Sequence, residues 1–336
     1  MLHEIKEILQ QGYANQKQGM KTVLASVVEL DGSSYRRPGV RMSIREDGLM
    51  IGAVSGGCVE KEIIRQAASV FEDAKPKLMV YDGRYRLGCE GVLYILIEPL
   101  VISDEFLEAF TAQWKLREPF QIQSFYSKEE KGRFLGGSIF HLKNKDYSLK
   151  NASQPTSSLQ VFKQTLKPGL RLVIIGSEHD AVELCKFAAQ AGWEVHLVAP
   201  PDDPKSIENF PGAMAYHGIS ELEFEDFELD SQTAVVLMTH SYVQDLKYMS
   251  CLINKKVAYL GLLGPASRRE KLFAQLLEYN PNTPEEFLLA WRGPSGINIG
   301  AETPQEIAIS VIAEILSVVR KQIPIPLKEK EGRIHQ

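Results

Sequence analysis

Two short turns in the first third of the chain set a thiol among glycines. Ser55-Gly56-Gly57-Cys58-Val59-Glu60 closes a strand-like run and opens a helical one. The first amide N–H groups of a helix lack internal partners, and the positive end of its dipole lies there. A cysteine at that end has its thiolate favoured, which prepares a nucleophilic or sulfur-accepting sulfur. The alternative for Cys58 is a small buried apolar residue, since free cysteines are among the most buried types. Leu87-Gly88-Cys89-Glu90-Gly91 repeats the arrangement just before the apolar run VLYILIE. A third segment, Gly32-Ser33-Ser34-Tyr35-Arg36-Arg37-Pro38-Gly39-Val40-Arg41, concentrates arginines and hydroxyls in one turn. The forks of Arg36, Arg37 and Arg41, with the Ser34 hydroxyl, suit a phosphate or a planar carbonyl edge. Read alone, the pair Arg36-Arg37 is better taken as a solvated basic turn, and it is the company of the other two segments that favours a ligand. If the three turns meet at one end of a sheet, they form a pocket for a phosphorylated ligand carrying sulfur or a metal. Cys58 and Cys89 would then contact the metal, and Gly56 and Gly57 would admit the ligand to the backbone.

The elements that must position these turns are legible from periodicity. TVLASVV over 22–28 is β-branched and apolar, and VRMSIR and LMIGAV flank Glu46-Asp47-Gly48, a hairpin signal. Val59, Ile63, Ala67 and Phe71 mark one face of a helix. Strands return at 77–82 and 92–98, and FQIQSFYS with RFLGGSIFHLK predicts a second hairpin. Residues 148–160 are rich in Ser, Asn, Gln and Pro, so the boundary is expected there: an α/β domain over 1–148, a linker over 149–166, a second domain over 167–321 and a tail over 322–336.

Beyond the linker, short apolar strands alternate with helices, which predicts a doubly wound, Rossmann-like parallel sheet. LVIIGSEHDAVELCKFAAQAGWEVHLVAP has the strand, glycine turn, helix and strand in which a dinucleotide pyrophosphate can sit on a helix N-terminus, with Gly176 at the turn. Two features oppose such a ligand. Glu178 puts a carboxylate where bare backbone should meet phosphate, and the second strand ends Ala199-Pro200-Pro201, with Asp202 and Asp203 only beyond the prolines. Gly261-Leu262-Leu263-Gly264-Pro265-Ala266-Ser267-Arg268-Arg269 follows another buried-type strand, where open α/β sheets bind ligands. Gly264 is therefore a candidate binding residue, and Arg268 and Arg269 either reach an anion or are solvated. Ser267 with Glu270, Thr283 with Glu286 and Thr303 with Glu306 fit the capping-box pattern.

The 336 residues carry 38 Lys plus Arg against 43 Asp plus Glu, a net charge of −5, so no surplus of cations is available to neutralise a nucleic-acid backbone. The most apolar stretch is broken by Glu98 and Pro99, far short of the roughly 20 residues that cross a bilayer. Glu4, Lys6 and Glu7 stand where an export signal needs an apolar core. The four cysteines, Cys58, Cys89, Cys185 and Cys251, form no CxxC pair, so a reducing, cytoplasmic setting is expected; the last two read as core residues. No histidine has an evident acid partner in the sequence, and no general base is assigned.

These motifs together resemble the xanthine dehydrogenase accessory protein family of the XdhC/CoxI type. The likeness is carried by the Gly32–Gly39, Ser55–Glu60, Leu87–Gly91 and Gly261–Gly264 segments and by Gly296-Ile297-Asn298-Ile299-Gly300-Ala301-Glu302-Thr303-Pro304. The chain departs from the family pattern at Glu178, Ala199 and Glu90. The resemblance implies a chaperone that binds molybdenum cofactor (molybdopterin), protects it while its terminal sulfur is installed, and passes it to a xanthine dehydrogenase-like molybdenum hydroxylase. It also implies a cysteine desulfurase and a second copy of the chain as partners. The rival expectations are an NAD(P)-dependent oxidoreductase using the Rossmann-like domain and an assembly module without a ligand.

Overall fold

The computed structural model describes residues 2–32, 37–85, 91–128, 136–143, 145–149 and 159–332, with Cys58 and Tyr85 described by backbone alone. The chain divides into two compact units between Pro168 and Gly169.

In the first unit, helix α1 (Leu2–Lys17) precedes β1 (Thr22–Asp31), the hairpin β2 (Arg41–Arg45) and β3 (Met50–Gly52), helix α2 (Cys58–Asp73), β4 (Lys77–Asp82) and β5 (Val92–Pro99). These strands form one antiparallel sheet in the order β3-β2-β1-β5-β4. Helix α3 (Asp104–Lys115) leads to a second antiparallel sheet of β6 (Phe120–Tyr126), β7 (Gly137–His141), β8 (Asp146–Ser148) and β9 (Gln160–Leu166), ordered β8-β7-β6-β9. The unbroken apolar run of β1 is explained by cover on both faces. Val23, Ala25 and Val27 pack with Val59, Ile63, Ala67 and Val70 of α2. Leu24, on the opposite face, joins residues of α1, α3, β6 and β7 in a core dense in phenylalanine.

The expected linker over 149–166 needs correction at its end. Residues 160–166 are β9, paired with β6 from Tyr126↔Gln160 to Phe120↔Leu166. Its signal is the alternation of exposed Val161, Lys163 and Thr165 with more buried Phe162, Gln164 and Leu166, which the adjoining polar stretch obscures. Residues 150–158 lie outside the described residues.

The second unit alternates β10 (Arg171–Ile175), α4 (His179–Gln190), β11 (Glu194–Ala199), β12 (Ala215–Gly218), α5 (Glu221–Phe224), β13 (Thr233–Leu237), α6 (Tyr242–Cys251), β14 (Tyr259–Leu262), α7 (Ala266–Tyr279), α8 (Glu285–Ala290), β15 (Trp291–Arg292) and α9 (Pro304–Val319). All six strands are parallel, in the order β12-β11-β10-β13-β14-β15, which is the Rossmann arrangement with its switch point between β10 and β13. Successive side chains of a strand feed opposite layers. Leu172 and Ile174 pack with α4 and α9, whereas Val173 and Ile175 pack in the layer of α6 and α7. Burial on both faces is why these strands read as continuous apolar runs.

Of the three expected capping boxes, Thr303 with Glu306 forms as written, with Pro304 at the first helical position. The other two do not. Pro265 and Pro284 take the cap positions, which places Ser267 inside α7 and leaves Thr283 bonded to the Asn280 carbonyl. Thr303→Ala is expected to cost about 1 kcal/mol, seen as a lower urea midpoint with an unchanged m-value.

Candidate functional site

The register of the first sheet brings the described flanks of the three chemistry-bearing segments to one end. Val92, the first residue of β5, pairs with Asp31 at the end of β1 and with Asp82 at the end of β4. Gly83 N–H donates to the Gly91 carbonyl at 3.0 Å and closes the base of the intervening loop. Lys21 Nζ reaches the Phe71 carbonyl at 2.9 Å, so the C-terminal end of α2 lies beside the start of β1. The N-terminal end of α2 therefore points toward the end of β1. Gly32, Arg37, the Ser55–Cys58 backbone and Gly91 share this end, and Arg37 is exposed there. Ser34, Arg36 and Cys89 fall outside the described residues, as does the side chain of Cys58.

At α2 the expectation of free N–H groups is corrected in part: Val59 N–H donates to the Ser55 hydroxyl oxygen at 3.3 Å, and the amides that lead into the helix are taken by Glu60. Its carboxylate, 6% exposed, accepts from Val54 N–H (3.1 Å), Ser55 N–H (2.6 Å) and Gly57 N–H (2.9 Å), and from the Ser55 hydroxyl. Burial opposes ionisation of Glu60, but the bonds from Ser55 and the surrounding amides outweigh it and hold the carboxyl below its usual range. The anion that favours a helix N-terminus is thus supplied by the chain itself.

Arg41 is also placed differently from its expected role. It is 4% exposed, and its Nη1 donates to the Gly39 carbonyl at 2.9 Å and to Gln164 Oε1 on β9. The guanidinium is a brace between the two sheets of this unit. Burial pushes it down to about 10, opposed by attraction to Glu98. Glu98, 2% exposed, accepts from Ser138 N–H (2.8 Å) and the Ser138 hydroxyl (2.6 Å), and burial pushes it up to about 7 against those bonds and the pull of Arg41. Folded Glu98 therefore keeps a proton that the unfolded chain has released. The associated stability is complete below the ordinary value of 4.5 and is lost as pH rises through about 7, at no more than about 1.4 kcal/mol per pH unit. Glu98→Gln should flatten this slope in denaturant titrations at pH 4 to 8 (roughly that window).

In the second unit, Gly176 has φ 133°, and a side chain there would collide with the Met238 carbonyl at the end of β13. Strand packing therefore demands this glycine. The loop after β11 folds back on the glycine turn: the Ser177 hydroxyl donates to Asp203 at 2.5 Å, and Lys205 Nζ donates to the Ser177 carbonyl at 2.8 Å and lies 3.2 Å from Glu178. Gly264 makes room for Arg268, whose Cδ would lie 2.9 Å from an added Cβ. Arg268 pairs with Asp245 at 2.6 Å, and the same carboxylate, 1% exposed, accepts from the Thr239 hydroxyl at 2.6 Å. Arg269 donates to the Gly293 carbonyl at 2.7 Å. Both arginines are thus committed to internal partners. Asp245 escaped the sequence reading, since an acid on a helix looks solvated until its partner on another helix is known. At the switch point His240, at φ 58°, lies 3.6 Å from Asp180. No three or more His, Cys, Asp and Glu side chains among the described residues are grouped to hold a metal ion, and no helix among them is long and apolar enough to cross a membrane. Asp245→Ala should lower stability by about 3 kcal/mol, because it strands a partly buried guanidinium; chemical denaturation measures it.

A unit of two antiparallel sheets followed by a six-stranded Rossmann unit defines the class of protein. Residues 172–315 match the model of the XdhC Rossmann domain, and residues 16–82 match that of the XdhC and CoxI family. The chain belongs to the XdhC and CoxI family. It is 27% identical to a probable xanthine dehydrogenase subunit of Bacillus subtilis, covering 91% of this chain and 95% of that protein. It is 26% identical to the molybdenum cofactor insertion chaperone PaoD of Escherichia coli, covering 89% and 84% of the two. The fold is shared with a crystal structure described as a xanthine dehydrogenase from Bacillus halodurans, at TM-score 0.78 and 24% identity over 95% of this chain and 96% of that one.

Proposed function

We propose that this protein is a molybdenum cofactor chaperone that holds the cofactor as cargo, keeps it protected during sulfuration, and delivers it to a xanthine dehydrogenase-type molybdenum hydroxylase. The observation that carries the reading is the likeness to a molybdenum cofactor insertion chaperone across 89% of the chain, both units included. In this reading Arg36 and Arg37, with Ser34, hold the pterin phosphate, and Cys58 and Cys89 contact the molybdenum or its sulfur. Thiolates are suited to that soft centre, and guanidinium forks to the phosphate. The partners are the hydroxylase, a cysteine desulfurase and a second copy of the chain, and the setting is the cytoplasm. The Rossmann unit acts as scaffold. Its glycine turn is lined by Glu178, Asp203 and Lys205, which pair with one another or with the turn itself, and this weighs against a dinucleotide there.

The test is pterin and molybdenum analysis of protein purified from cells that make the cofactor. Wild type should carry both, and the Cys58→Ala, Cys89→Ala double variant should fold and lose most of them. Cargo-free wild type would overturn the chaperone reading, and full occupancy of the double variant would remove the thiols from it. NAD or NADP at about 1 mM should leave the melting temperature unchanged, whereas a site of about 10 μM affinity would add about 2.7 kcal/mol.

A further inference from the structure

The turn Arg37–Val40 is held from three directions. Gly39 N–H donates to the Val27 carbonyl at 2.8 Å, and Val27 N–H donates to the Val40 carbonyl at 3.0 Å, which fixes the turn to β1. From the turn's own strand, Arg41 Nη1 holds the Gly39 carbonyl at 2.9 Å. From the second sheet, Gln164 on β9 accepts from the same Arg41 nitrogen. Gln164 also fills the space beside Gly39, where any Cβ would collide with its amide; Gly39 sits at φ 98°, a conformation that glycine adopts without strain. One guanidinium nitrogen thus ties the turn to a residue 123 positions later in the chain. Exposed Arg37 begins the clamped turn, and Arg36 immediately precedes it.

We propose that Arg41 and Gln164 are positioning residues for the basic turn: they touch no cargo and fix the place at which Arg37 and its neighbours meet it. The inference rests on the cargo reading of that turn. A guanidinium buried at the base of a loop cannot itself grip a bulky ligand, but it sets the loop's carbonyl in place, and the amide of Gln164 holds the guanidinium. Arg41 therefore moves from the cargo contacts to the residues beneath them. Gln164, in a stretch that read as linker, becomes part of the site's architecture.

Two variants of the full chain test this. Gln164→Ala removes the acceptor and the surface under Gly39, whereas Gln164→Glu keeps an oxygen facing Arg41. Pterin occupancy of protein from cofactor-making cells should fall about five-fold in Gln164→Ala, the effect of one lost hydrogen bond, and return in Gln164→Glu. Amide hydrogen exchange provides a readout without cargo: Gly39 and Val40 should exchange about ten-fold faster in Gln164→Ala, with the α2 and β5 amides unchanged. Wild-type occupancy with wild-type exchange in Gln164→Ala would overturn the inference, as would loss of occupancy in both variants alike. If wild type carries no cargo, the chaperone reading fails, and the exchange experiment still decides whether Gln164 holds the turn.

Discussion

The pairing of β5 with β1 and β4 governs where the first unit can do chemistry. Because Val92 stands opposite both Asp31 and Asp82, the chain leaves β1 and enters β5 at the same edge of the sheet. Helix α2 lies across that sheet with its C-terminal end at the start of β1, which turns the Ser55–Cys58 segment toward the same edge. A shift of one residue in this register would exchange the faces of β5, moving Ile95 and Ile97 off the helix and Glu98 into its place. The hydrophobic contrast between those positions is what fixes the geometry of the site.

The chain repeatedly satisfies its own polar groups at places where a ligand would otherwise be expected. Glu60 takes the donors at the thiol-bearing turn, Asp245 takes Arg268 and Thr239, and Asp203 with Lys205 takes the glycine turn of the Rossmann unit. A buried donor without a partner is costly, so each closure rigidifies a loop that sequence motifs mark as special. In the Rossmann unit this closure ties the loop after β11 to the glycine turn. In the first unit it shapes the Ser55–Gly57 turn. On the proposed chaperone reading, a preformed turn leaves less order to be created on binding.

Much of this was legible along the chain. The Glu46-Asp47-Gly48 hairpin, the helix face of Val59, Ile63 and Ala67 on α2, the second hairpin and the alternation of the Rossmann unit all follow from local periodicity, and the structure contains each of them. So does the Thr303 cap, whose partner is three residues away. The contacts that local periodicity does not reveal share a different property. Arg41 meets Gln164, Glu98 meets Ser138, Asp245 meets Arg268 and Ser177 meets Asp203 across separations of 123, 40, 23 and 26 residues.

The amino-acid order by itself determined most of the elements and the division into two units, because these depend on turn chemistry and on apolar periods of two or 3.6 residues; β9, beside a polar stretch, is the exception. Only the tertiary structure decided which charged groups face outward and which are spent inside. That choice depends on which distant partner the fold brings within hydrogen-bond range, and on the cost of burying a charge that finds none.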